Sequence, residues 1–239
     1  TYTIKKRSGG ERVIEAPYPS LKMVQRWILD NILTPTAVIH PSSVGFARGK
    51  TIVDNARPHL GADVLLKMDI KDFFPSMHFG RVRGLFLSNP FEFNNQVATT
   101  LAQICCFEGV LPQGAPTSPI ISNFICRRLD NELLAFAKRH KLSYSRYADD
   151  ITFSTNLKNI PTEFGTIGAD NKLTLSKELM EIIESNQFVI NESKIRFAGR
   201  NNRQEVTGLI VNEKINVKRT YIRRIRSMLH AWEKYGIAN

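Results

Sequence analysis

Cysteine is scarce in this 239-residue chain: three residues, two of them adjacent at Cys105 and Cys106. That number and spacing make neither a disulfide framework nor a zinc site. They read as buried thiols in a reducing compartment. Long apolar runs are missing as well. No stretch approaches the roughly 20 residues of a membrane span, and no secretory leader is visible, so no membrane enters the reading. Internal repeats, low-complexity tracts and an obvious linker are also lacking. The chain starts at Thr1 rather than Met, which reads as a processed or shortened chain. Acidic residues are in short supply, 22 Asp+Glu against 33 Lys+Arg, leaving a net charge of +11. With 42% hydrophobic and 9% aromatic residues this is not a disordered basic tail. The length suffices for a sizeable core that depends on neither disulfides nor metal.

The positive surplus points to a polyanionic partner without naming it. Its distribution says more. Residues 1–60 carry 9 basic and 4 acidic side chains, residues 61–150 carry 10 and 9, and residues 151–239 carry 14 and 9. The middle is nearly neutral and the ends are basic, as suits a chemical centre held between two nucleic-acid grips. The densest cluster is Lys218, Arg219, Arg223, Arg224 and Arg226, on a predicted C-terminal helix with Ile222, Ile225, Leu229 and Trp232 as its apolar stripe. Such a cluster is either a solvated helix face or a rod laid along a phosphate backbone.

Residues 2–6 and 11–15 read as a hairpin turned by Ser8-Gly9-Gly10. Ser20 is placed to cap a helix over 21–33, with Leu21, Val24, Ile28 and Ile32 on one face and Thr34-Pro35 as its stop. A loop over 36–50 precedes a short helix from Thr51. Val64–Ile70 is short and mostly apolar, a buried strand. Helices are expected over 79–88 and 94–107. A Gly/Pro-rich loop follows from Leu111 to Pro119, and then a long helix capped by Ser118 and running to about His140. Tyr144–Ala148 and Ile151–Thr155 make a hairpin with Asp149-Asp150 at its tip. A helix over 172–186 and short strands at 188–190, 195–198, 206–211 and 215–217 complete the pass. From residue 63 the order is strand, helices, hairpin, helix, strand, which matches a split βαβ arrangement. That topology sets the first strand beside the hairpin, so Asp69 meets Asp149 and Asp150.

Three acids at one sheet edge are costly unless something neutralises them. Hard oxygen ligands at this density favour Mg²⁺, and two such ions can clamp the attacking and leaving oxygens of a phosphoryl transfer. The plainer reading of Asp149-Asp150 is a β-turn, since Asp favours turns. The flanks argue against it: Tyr147-Ala148-Asp149-Asp150 lies between two apolar strands, and Asp69-Ile70-Lys71-Asp72-Phe73-Phe74-Pro75 ends a third.

At these residues the sequence resembles the reverse transcriptase family. Tyr147–Asp150 matches its catalytic hairpin, Asp69 with Phe74 its first catalytic motif, and Leu111-Pro112-Gln113-Gly114-Ala115-Pro116-Thr117-Ser118-Pro119 the loop that opens the long palm helix. The resemblance spans residues 2 to about 235. It implies an α+β right-hand fold: fingers over 1–62, a split-βαβ, ferredoxin-like palm over 63–205 with a fingers insertion at about 79–110, and over 206–239 the primer grip with the first helix of a truncated thumb. It implies an RNA-directed DNA polymerase with two Mg²⁺ ions, Mn²⁺ being able to substitute. Asp69, the Ile70 carbonyl, Asp149 and Asp150 would be the metal ligands. Phe74 would be a steric gate against a 2′-OH, with a core aromatic as its plainer reading. Gln113 would contact the incoming nucleotide, and Gly114 would let the backbone approach it closely. Lys6, Arg12 and Arg48 would hold the triphosphate. Lys194 resembles the lysine proposed to protonate the pyrophosphate.

Two shorter stretches narrow the resemblance. Asn55-Ala56-Arg57-Pro58-His59 matches the Asn-Ala-x-x-His signature of retron reverse transcriptases, and Val206-Thr207-Gly208 matches their Val-Thr-Gly triplet near the primer grip. With Lys218, Arg219, Arg223 and Arg226, the residues Asn55, His59, Val206, Thr207 and Gly208 are the expected nucleic-acid contacts. The plainer reading of His59 is a buried, hydrogen-bonded histidine. The retron resemblance implies a structured noncoding RNA as template and primer, an RNA–DNA duplex, deoxynucleoside triphosphates, single-stranded DNA branched from an RNA 2′-OH, an effector protein of unknown identity, a role in phage defence, and a bacterial cytoplasmic setting. The competing readings are a related polymerase with untemplated or protein-primed synthesis, and a catalytically silent RNA-binding module.

Overall fold

The computed structural model describes residues 1–5, 9–157, 161–168 and 173–236. Its centre is a four-stranded antiparallel sheet of β3 (Val64–Asp69), β4 (Ser143–Tyr147), β5 (Asp150–Thr155) and β8 (Arg196–Gly199), in the order β4-β5-β3-β8. Strand alternation gives the sheet two different faces. Leu66, Met68, Tyr144, Ile151 and Phe153 point to one, where they are buried. Lys67, Asp69, Asp150 and Thr152 alternate with them on the other. The apolar face is covered by α6 (Ser118–Ile125), α7 (Arg127–Arg139) and α8 (Lys177–Ser185), through Ile121, Leu129, Leu133, Phe136, Leu179 and Ile183. Phe136 meets Phe153 edge-on with ring centres 6.3 Å apart. Removing such a ring costs about 3–5 kcal/mol. Helices α4 (Phe79–Leu87) and α5 (Asn95–Cys105) pack on each other and extend the same core through Val82, Phe86, Ala98 and Leu101. The strand–helices–hairpin–helix–strand order therefore forms the split βαβ sheet that the sequence pattern predicts.

The N-terminal hairpin is β1 (Tyr2–Lys5) with β2 (Glu11–Ile14). Helix α1 spans Pro19–Ile28 and continues as a π-helical turn over Leu29–Leu33 and one further turn, α2 (Thr34–Thr36). Ser20 does not cap it. The helix starts at Pro19, whose fixed φ and missing N–H suit a first helical position. Leu21 and Val24 are exposed, while Gln25 and Ile28 face inward, and the Gln25 side chain donates to the Ile104 carbonyl at 2.8 Å. Thr34-Pro35 does not stop the helical path, which ends at Thr36. A short helix, α3 (Ile52–Ala56), begins in a reciprocal capping box between Thr51 and Asp54, and leads into a 3₁₀ turn over Arg57–His59.

Other expectations need correcting. The long helix from Ser118 is two helices, broken at Cys126, where ψ is −5°. Its N-cap position is Thr117, and the Ser118 hydroxyl instead donates to the Pro112 carbonyl at 2.7 Å. The helix expected over 172–186 begins only at Lys177, because Ser176 caps it by accepting from the Leu179 N–H. Leu173–Leu175 is strand β7, paired with β6 (Gly165–Ile167). Phe188–Ile190 makes a single bridge, Ile190 to Ile70, rather than a strand. Val206–Val211 is not one strand but a tight hairpin of β9 (Glu205–Val206) and β10 (Leu209–Ile210), with β11 (Asn216–Val217) alongside. Its turn residues Thr207 and Gly208 have φ of +46° and +84°, a two-residue turn in which glycine serves its left-handed position. Helix α9 (Arg219–Tyr235) ends the described chain.

Candidate active site

The pairing register brings the acids together. Asp69 is the last residue of β3 and stands opposite Asp150, the first of β5. Asp150 faces Tyr147 on its other side, so the hairpin tip is Ala148-Asp149 and not Asp149-Asp150. The Ile70 N–H donates to the Asp149 carbonyl at 2.9 Å, tying the turn to the end of β3. The neighbouring segment closes from the opposite edge: Lys71 N–H donates to Val189 and Asn191 N–H to Asp69. Among the described residues the Ile70 carbonyl accepts no backbone hydrogen bond, so it stays available to a ligand.

Electrostatics show the cost of this grouping. Burial first, then the neighbouring Asp150 and Asp69 charges, push the Asp149 carboxyl up to about 6. The Asp150 carboxyl is raised as well, chiefly by burial, with Lys67 acting against the rise. Lys194 closes the third side from a 3₁₀ turn over Glu192–Lys194. Its Nζ donates to both Asp69 oxygens at 2.8 Å. The donor chemistry fits a hard divalent cation, three carboxylates and a backbone carbonyl. The carboxylates stand near one another without converging on a single point: no group of three His, Cys, Asp or Glu poised for a metal occurs among the described residues. Asp69 is instead engaged by Lys194, which supplies the positive charge the acids need.

Around this centre the expected nucleotide contacts sit unevenly. Phe74 is half-buried and lies edge-on to Phe73 at 5.3 Å, with Phe46 6.2 Å away. Gln113 is half-buried, and its carbonyl accepts from the Glu15 N–H at 2.9 Å, which docks the N-terminal hairpin on the loop before α6. Gly114 is constrained by the N-terminal hairpin. Its φ is +135°, and a Cβ there would come within 3.0 Å of Ile14 and 3.2 Å of the Glu15 carbonyl, so its bare Cα serves this docking. Arg48 is exposed and rims a groove with Phe46, Lys50 and Pro116. Lys6 lies outside the described residues, and of Arg12 only the backbone pairing with Ile4 is described.

The two shorter motifs meet each other in space. Asn55 donates to the Thr207 hydroxyl at 3.4 Å, and Ala56, Leu65, Val206, Leu209 and Val211 form a small second core between α3, β3 and the β9–β10 hairpin. His59 is fully buried, its Nδ1 2.7 Å from the Ser154 hydroxyl and its Nε2 2.8 Å from that of Ser145. It thus bridges both strands of the acidic hairpin, and burial lowers its pKa to about 4. Asn55, His59 and Val206 are too deeply buried for side-chain contact with nucleic acid. They brace the sheet, while Thr207 and Gly208 keep partial or full exposure at the turn. The buried-histidine reading of His59 is the one that holds. Lys218 is paired with Glu205 at 2.8 Å. Arg219, Arg223 and Arg226 are exposed on α9, which buries no residue.

The residues that sequence reading missed lie on the apolar face behind the acids. Arg146, fully buried, is bound through both ends of its guanidinium to Asp130 at 2.7 Å. The available signal is parity: in an alternating strand Arg146 shares the core-facing side with Tyr144. Asp130, Asn123, Ser43 and Gly45, which surround it, carry no local signal.

A profile of the family described as "Reverse transcriptase (RNA-dependent DNA polymerase)" matches residues 4–212. The chain is 38% identical to a Retron Mx162 reverse transcriptase from Myxococcus xanthus, over 98% of this chain and 52% of that one. It is 36% identical to a Retron Ec86 reverse transcriptase from Escherichia coli, over 96% of this chain and 68% of that one. The chain thus spans between half and about two thirds of the length of these relatives. Among solved structures, an apo telomerase from Candida tropicalis superposes with a TM-score of 0.54 at 14% identity, covering 91% of this chain and 54% of that one; that likeness concerns the fold. A matching profile over most of the chain and relatives at this identity settle the lineage: the chain belongs to the reverse transcriptase family, and within it to the retron type.

Proposed function

We propose that this chain carries the polymerase centre of a retron-type, RNA-directed DNA polymerase. The observation that carries the reading is the register that sets Asp69 opposite Asp150 with Asp149 on the adjoining turn. In this reading Asp69, Asp149, Asp150 and the Ile70 carbonyl would hold two Mg²⁺ ions once Lys194 releases Asp69, and the ions would supply Lewis-acid stabilisation of charge on the attacking and leaving oxygens. Everything else falls to the chain's own side chains. Gln113 and Phe74 position the incoming deoxynucleotide, Phe74 filling the space a 2′-OH would need. Lys6, Arg12 and Arg48 hold the triphosphate. Lys194, released from Asp69, gives its proton to the pyrophosphate oxygen. Arg219, Arg223 and Arg226 grip the RNA–DNA duplex. A structured RNA serves as template and primer, and DNA synthesis in phage defence is the biological setting.

The test is primer extension on an RNA template by the full-length protein with Mg²⁺. Deoxynucleotides are incorporated, and Asp149→Asn abolishes this. Equal activity in the variant overturns the assignment. For the retron step, the DNA product stays joined to a copurified RNA. A product of the same length before and after debranching counts against it.

A further inference from the structure

Behind the acidic turn lies a buried ion pair with no part in the chemistry just described. Arg146 and Asp130 are both completely buried. The guanidinium meets Asp130 through Nε and Nη2, each at 2.7 Å. Nη2 also reaches the Ser43 hydroxyl at 2.8 Å and the Asn123 side-chain oxygen at 3.2 Å. Its remaining arm, Nη1, donates to the Ala148 carbonyl at 3.0 Å. Ala148 has φ +56°, at a turn position where glycine is usual. Its carbonyl belongs to the peptide plane that joins it to Asp149. A donor on that oxygen therefore sets the plane from which the Asp149 side chain departs.

The turn is held from the opposite side as well. Arg146 N–H donates to Ser42, Val44 N–H donates to the Arg146 carbonyl, and the Asn123 amide donates to the Gly45 carbonyl at 2.9 Å. Gly45 lies so close to the turn that a Cβ would stand 2.5 Å from the Ala148 nitrogen. The turn is thus wedged between the Gly45 backbone and the Arg146 guanidinium. The break at Cys126 separates Asn123 on α6 from Asp130 on α7, and both still reach Arg146. A buried ion pair is weak evidence for stability as such, because desolvation offsets its attraction. An apolar pair would fill the same space, but it would leave the Ala148 carbonyl without its donor.

We propose that Arg146, anchored by Asp130, Asn123 and Ser43, is a positioning residue that fixes the Ala148–Asp149 peptide and so the direction of the Asp149 carboxylate. The proposal rests on the catalytic reading of Asp149. Its test is therefore read in two ways on the full-length protein: single-nucleotide turnover, and the rise in thermal midpoint caused by Mn²⁺ alone. Arg146→Lys keeps the charge but cannot span Asp130 and Ala148 together. Gly45→Ala presses the turn from the other side and alters no charge. Both variants are expected to lower turnover about 10- to 100-fold, with the KM for deoxynucleotide nearly unchanged, and to diminish the Mn²⁺-induced shift. Phe86→Leu, in the core of α4, serves as a destabilised reference that keeps the Mn²⁺ shift. Folded variants with wild-type turnover and Mn²⁺ response overturn the clamp. So does a loss that only follows the folded fraction, as in the reference. An active Asp149→Asn protein overturns the catalytic reading instead; amide exchange at Ile70, whose N–H holds the Asp149 carbonyl, then decides without metal whether Arg146→Lys and Gly45→Ala loosen the turn.

Discussion

Folding stability should depend on pH through His59. The imidazole is fully buried between two serine hydroxyls, and burial lowers its pKa from 6.5 to about 4. In the unfolded chain it returns to 6.5, so between these values the unfolded state binds a proton that the folded state refuses. Stability from this group is complete above about pH 6.5 and is lost as pH falls toward 4. At 1.36 kcal/mol per unit, the full loss is about 3 kcal/mol, of which about 2 kcal/mol is gone by pH 5. That is a large share of the roughly 5–15 kcal/mol that holds a domain together. The assay is urea unfolding at a series of pH values from about 7.5 to about 4.5, on the wild type and on His59→Gln, which retains an amide for the two serines but cannot titrate. The variant should be less stable at the upper end of that range, and the gap should narrow as pH falls. Two curves that run parallel across the range would refute the reasoning, since they would mean that His59 takes up its proton equally in both states.

The remaining predictions concern the site itself. Lys194→Ala should lower turnover and cost about 1–3 kcal/mol of unfolding free energy, because the half-exposed lysine leaves a mostly buried Asp69 carboxylate without its cation; wild-type turnover would remove it from the catalytic set. Phe74→Ala should raise ribonucleotide incorporation in a competition assay, and unchanged discrimination removes Phe74 from the gate role. Gly114→Ala should loosen the N-terminal hairpin from the loop before α6, at a cost of about 1–3 kcal/mol from strain and overpacking. Faster amide exchange at Glu15, whose N–H holds the Gln113 carbonyl, is the measurement, and unaltered exchange counts against the docking role.

Much of the fold is legible in local pattern. Val64–Asp69 is buried at five of its six positions, as a short apolar run between turn signals predicts. The apolar spacing of Leu129, Leu133 and Phe136 puts all three in the core. The errors fall where a local signal has competitors. Ser20 and Ser118 resemble N-caps, yet Pro19 starts one helix and a carbonyl contact claims the other serine. Leu173-Thr174-Leu175 fits a helical stripe in isolation, but its pairing partner Gly165–Ile167 makes it a strand. Thr207-Gly208 sits inside an apolar run and turns the chain only because β9 and β10 pair.

By itself the sequence determined the acids, their order, and the strands that bring them to one sheet edge. These follow from strand periodicity, a property of neighbouring residues. The tertiary structure alone decided what holds them. Arg146 meets Asp130, Asn123 and Ser43 across separations of 16, 23 and 103 residues. His59 spans to Ser145 and Ser154, and Asn55 finds Thr207 at the far end of the chain. A buried polar side chain must find its partner wherever the packed core brings one within reach, and no spacing in a single sequence records which partner that is.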